Sequence, residues 1–101
     1  MPARDPLSSD RLDAALARLG AWHVEEDGDG NRLVRNEEFA DFREAFAFLT
    51  RVAFEAEAMD HHPEITNVYN RVRLALSTHD ANNRVTETDL ALAERIDALA
   101  A

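Results

Sequence analysis

Residues 39–64 read FADFREAFAFLTRVAFEAEAMDHHPE. Phe39, Phe42, Phe46, Leu49, Ala53 and Ala56 recur every three or four positions, with Arg43, Glu44, Arg51 and Glu55 between them, so the stretch predicts one long amphipathic helix. One face of such a helix must be covered, and the aromatic stripe is read as core rather than as a cofactor slot. Pro63 disfavours helical backbone at His62, so the helix should stop near Met59 or Asp60 and leave His61 and His62 just beyond its end.

After the bend, ITNVY (65–69) leads into RVRLALST (71–78), where Val72, Leu74 and Leu76 alternate with Arg71, Arg73 and Ala75. That two-residue period predicts a second pair of strands with one wet face. Upstream, SDRLDAALARLG (9–20) has a serine cap, helical spacing of Leu12, Leu16 and Leu19, and Gly20 as a stop. Between the two helices, Trp22–Glu25 and Arg32–Val34 flank EEDGDGN, which predicts a hairpin. Asp27, Asp29, Asn31 and Glu38 fall at calcium-loop spacing, but Arg32 stands where that loop needs glycine and no helix precedes it. Thr86 opens TETD, a capping-box-like start with Asp89 three residues on, for a last helix carrying Leu90, Ala93, Ile96 and Leu99.

The order α-β-β-α-β-β-α predicts an α+β fold: a four-stranded, mainly antiparallel sheet with three helices packed on one face. Residues 1–8 are read as a flexible tail and 9–101 as a single domain. The uncovered sheet face suggests a symmetric partner.

Composition narrows the function classes. The 101 residues include seven aromatics and no cysteine, which removes disulfides, thiolate metal sites and cysteine nucleophiles and points to the cytoplasm. A net charge of −9 repels phosphate backbones, against direct nucleic-acid binding. Neither a signal peptide nor a membrane span is read from the chain. No serine stands in a nucleophile elbow, and Gly20, Gly28 and Gly30 cannot build a glycine-rich phosphate loop.

His61, His62 and His79 bracket the second strand pair, and antiparallel pairing brings those ends together. Imidazole titrates near neutrality, so proton transfer is the natural chemistry. Two other readings compete. A zinc site is disfavoured because adjacent residues diverge and no i, i+4 pair occurs. Local hydrogen bonding is the usual fate of a single histidine, and is the reading taken for His23.

The stretch at 39–64, together with VYNRV (68–72), LSTHD (76–80) and VTETDLALAERID (85–97), resembles the pterin-4a-carbinolamine dehydratase family from about Leu12 to Leu99. The resemblance implies an enzyme that dehydrates 4a-hydroxytetrahydropterin to quinonoid dihydropterin and so recycles the pterin cofactor, such as tetrahydrobiopterin, of aromatic amino-acid hydroxylases. It implies catalytic His61, His62 and His79, with direct proton transfer assigned to His62 and His79. Glu57, Asp60, Ser77, Thr78 and Asp80 are implied as flanking residues that orient imidazoles or bind the pterin. No metal and no bound cofactor are implied; the partners are the pterin and a homodimer or homotetramer. Trp22 matches a family position and is also readable as core.

Two departures stand out. Asn82 and Asn83 occupy a turn where the family more often has a glycine pair, and asparagine tolerates left-handed backbone. Glu37 replaces a frequent aromatic. The rival reading is a non-catalytic assembly protein or transcriptional cofactor of the same fold, which would have no need of three imidazoles.

Overall fold

The computed structural model describes residues 5–100. Helix α1 (Ser9–Leu16) precedes the hairpin of β1 (Trp22–Asp27) and β2 (Gly30–Glu38). Helix α2 (Phe42–Met59) precedes β3 (Glu64–Val68) and β4 (Arg71–Leu76); a 3-10 turn (His79–Ala81) then leads to α3 (Glu87–Ala100). The four strands form one antiparallel sheet in the order β1-β2-β4-β3, in agreement with the expected fold class. Residues 1–4 of the expected tail lie outside the described residues. Leu7 donates its N–H to Val85 O at 3.1 Å and packs against the core.

Local signals explain the element ends. Ser8, one residue before the serine expected, caps α1 by accepting from Arg11 N at 3.2 Å. Arg11 also grips Glu87 with two hydrogen bonds, 2.7 and 2.8 Å, tying α1 to the start of α3. Asp41 caps α2 by accepting from Glu44 N at 2.9 Å. The first hairpin is longer than the sequence predicts, because Glu26↔Asn31 and Asp27↔Gly30 pair and only Gly28 and Asp29 turn. Gly28 supplies the required positive φ of 62°. The calcium reading finds its oxygens engaged: Asp27 pairs with Arg32, and Asn31 Oδ1 accepts from Val85 N.

The core lies between the inner sheet face and the helices. Leu33 opposes Leu76 across the β2–β4 register, and both are fully buried with Val52, Leu92 and Ile96. Each such side chain contributes roughly 1.5–3 kcal/mol by leaving water. Trp22 is core as well, its indole N–H donating to Asp97 Oδ1 at 2.7 Å.

The aromatic stripe of α2 corrects the sequence reading. The buried face is Ala45, Phe48, Leu49, Val52 and Ala56, whereas Phe42, Phe46 and Phe54 are 46%, 55% and 72% exposed. The apolar arc of this helix is wider than the face the core covers, so three-or-four spacing fits two overlapping faces, one through Phe42 and Phe46 and one through Ala45 and Phe48, and cannot choose between them. The outer sheet face is the wet face that the alternation of Arg71 and Arg73 with Val72 and Leu74 predicts, and it is laced with ion pairs. Arg73 holds Glu25 at 2.8 and 3.2 Å, and Arg32 reaches Asp27 and Glu64 at 2.7 Å each. Val34 and Ala75, which pair on that face, are nevertheless buried.

Candidate functional site

Helix α2 ends where Pro63 predicts. Its C-cap Asp60 takes left-handed backbone (φ 51°) and donates its N–H toward Ala56 O and Glu57 O. His61 N–H then donates to Ala56 O at 3.0 Å, and the chain turns so sharply that His61 is buried while His62 is exposed. Two residues later β3 begins, and its Glu64 pairs with Ala75 near the end of β4. The segment carrying His61 and His62 and the segment carrying His79 therefore leave the same end of the sheet.

Each imidazole there has its own partner. His61 Nε2 lies 2.5 Å from Asp89 Oδ1, and the imidazole is 7% exposed. His62 Nε2 lies 2.6 Å from Glu57 Oε1, with both side chains exposed. His79 Nδ1 lies 3.4 Å from Asn83 Oδ1.

Asp89 is the residue that sequence reasoning placed only in a helix cap. Its carboxylate is fully buried and accepts at Oδ2 from Thr78 Oγ1 and from Thr86 N, both at 2.8 Å. The Thr78 and Thr86 hydroxyls are themselves 2.7 Å apart. A buried carboxylate is tolerated only when donors surround it, and here they come from the α2–β3 bend, the end of β4 and the start of α3. The proton on His61 Nε2 then faces Asp89, leaving Nδ1 as the other polar atom of the ring. The acid of TETD was visible in sequence, but nothing local shows that its second oxygen reaches a histidine 28 residues away.

The other sequence-predicted site residues divide. Glu57, Asp60 and Asp80 are exposed around the histidines, and Ser77 is half-buried after β4. Thr78 is set apart, fully buried with its hydroxyl turned to Asp89 and Thr86, an arrangement suited to positioning. The loop beyond closes on itself: Thr78 N–H donates to Arg84 O at 2.9 Å and Asn83 N–H to Thr78 O at 3.1 Å. Asn82 and Asn83 both take left-handed backbone with φ 58°, so asparagine does serve this turn. Gly30 is needed beneath it, since a Cβ there would strike Asn83 O. Glu37 is drawn to Arg35 at 2.5 Å, away from the histidines.

His62 and His79 sit on an open surface, with His61 buried behind them. Grooves of about 420 Å³ beside α1 and about 360 Å³ beneath the β3–β4 turn are not lined by them. Among the described residues, no group of three His, Cys, Asp or Glu side chains is placed to hold a metal ion, and no helix is long and apolar enough to cross a membrane.

The family model described as pterin 4 alpha carbinolamine dehydratase matches residues 5–99. The chain belongs to this family. A Mesorhizobium japonicum protein named "Putative pterin-4-alpha-carbinolamine dehydratase" is 50% identical over 94 residues, covering 93% of each chain. A Brucella melitensis crystal structure, described as a transcriptional coactivator/pterin dehydratase, superposes with a TM-score of 0.86 at 37% identity, covering 96% of this chain and 100% of that one. A pterin dehydratase-like protein identified as a RuBisCO assembly factor in the alpha-carboxysome superposes with a TM-score of 0.67 at 26% identity, covering 79% of this chain and 89% of that one.

Proposed function

We propose that this chain is a cytoplasmic 4a-hydroxytetrahydropterin dehydratase, a hydro-lyase that returns spent pterin cofactor to its quinonoid dihydro form by histidine acid–base catalysis. The observation that carries the reading is the pair of exposed imidazoles, His62 on Glu57 and His79 in the Asn83 turn, beside a third, His61, locked on buried Asp89. Loss of water from the carbinolamine needs one proton delivered to the departing hydroxyl and one taken from the neighbouring ring nitrogen. Exposed His62 and His79 serve those transfers, and Glu57 orients the His62 ring. Thr78 and Asp89 act through His61, while Asp60, Ser77 and Asp80 offer polar groups to the flat pterin. No step calls for a metal or a bound cofactor. The test is the rate at which purified protein dehydrates 4a-hydroxytetrahydropterin generated in situ, compared with His62→Ala and His79→Ala variants.

A second reading, assembly or transcriptional-cofactor work, is favoured by one feature, the exposed Phe42, Phe46 and Phe54 of α2. Large apolar patches mark interaction surfaces. We assign this one to further copies of the same chain, in a homodimer or homotetramer, rather than to nucleic acid or membrane.

A further inference from the structure

We propose that Asn83 is a positioning residue for His79, holding the imidazole in its Nδ1–H tautomer so that Nε2 is the proton acceptor. This rests on the dehydratase reading above. Asn83 Oδ1 faces His79 Nδ1 at 3.4 Å. An amide oxygen accepts and never donates, so the facing ring nitrogen carries the hydrogen and the remote nitrogen keeps its lone pair. At that length the bond is a weak one, and it biases the two tautomers by the free energy it adds to the Nδ1–H form alone.

The mount beneath this contact is rigid. Asn83 N–H donates to Thr78 O at 3.1 Å, and Asn83 O accepts from Asn31 N at 3.0 Å, so the residue is fixed both to the strand end bearing His79 and to β2. Its φ of 58° is one that glycine adopts without strain. Backbone geometry alone is therefore met by glycine, and what asparagine adds is the amide directed at His79. Asn82, with the same φ, donates its N–H to His79 O at 3.2 Å and makes a neighbouring control.

The two roles of Asn83 separate in Asn83→Gly, which keeps the turn and removes the amide. Long-range nitrogen–proton NMR of the full chain, at a pH where His79 is neutral, reads the tautomer directly. Wild type and Asn82→Gly should show protonated Nδ1 and pyridine-type Nε2. Asn83→Gly should shift toward the Nε2–H form favoured by an unconstrained histidine side chain. Asn83→Asp, which restores an acceptor oxygen, should return the Nδ1–H signature. In Asn83→Gly, kcat should fall about five-fold, the scale of one neutral hydrogen bond, with KM little changed and no loss of thermal stability. Wild-type His79 in the Nε2–H form, or an Nδ1–H signature that persists in Asn83→Gly, would overturn the assignment. A wild-type protein without dehydratase activity but with the Nδ1–H signature would uphold it and remove the function it was meant to serve.

Discussion

His61 Nε2 lies 2.5 Å from Asp89 Oδ1, inside a pocket where the carboxylate is wholly shielded from water. The same carboxylate binds Thr78 and Thr86, so one buried group joins the end of α2, the end of β4 and the start of α3. These are the segments that carry all three candidate catalytic histidines or brace them.

Asp89→Asn should be strongly destabilising. The amide preserves shape but presents one acceptor where three donors converge, and breaking a buried pair by altering one partner costs about 3–5 kcal/mol. Urea unfolding of the variant checks this; a midpoint equal to that of wild type would show that the pair is dispensable.

Core and surface aromatics should separate cleanly. Phe48→Ala removes a buried ring packed 5.0 Å from Phe39 and should cost about 3–5 kcal/mol. Phe46→Ser, on the exposed face, should leave secondary structure intact and reduce the oligomer mass seen by light scattering. An unchanged mass would argue against copies of the chain on this face.

The order of elements was legible in the sequence because each carries a local signal: Ser and Asp caps, Pro63 beyond α2, and alternation along Arg71–Leu76. The face of α2 was not, since the apolar arc of residues 42–56 is wider than the face that becomes buried and only packing chooses Phe48 over Phe46. At the site, the three histidines and Glu57 could be named from motifs. The burial of Thr78 and the Asp89–His61 pair depend on contacts between residues 11 and 28 positions apart, which no local pattern encodes.

Glycines should respond oppositely. Gly30→Ala places a methyl group against backbone Asn83 O and should cost about 1–3 kcal/mol. Gly20→Ala meets nothing within 4 Å and should stabilise by up to about 1 kcal/mol through the unfolded chain. Thermal unfolding of the two variants distinguishes these outcomes.

The outer-face ion pair between Arg73 and Glu25 sets an acid limb. Hydrogen bonds from Arg73 and then His23 lower the Glu25 carboxyl from 4.5 to about 2. A depressed carboxyl contributes its stability fully above the unfolded value and loses it as pH falls through the folded one. The stability gap between wild type and Arg73→Met should therefore be constant above about pH 4.5 and narrow toward pH 2. Acid titrations followed by circular dichroism test this, and a gap unchanged over that range would remove Glu25 as its source.

The central claim is proton transfer by His62 and His79, and the most direct measurement is the dehydration rate of 4a-hydroxytetrahydropterin with wild type and the two alanine variants. Acceleration by wild type that falls at least ten-fold in each variant, with folding retained, is the predicted result. A wild-type rate equal to the spontaneous reaction, or full activity in His62→Ala, would contradict it.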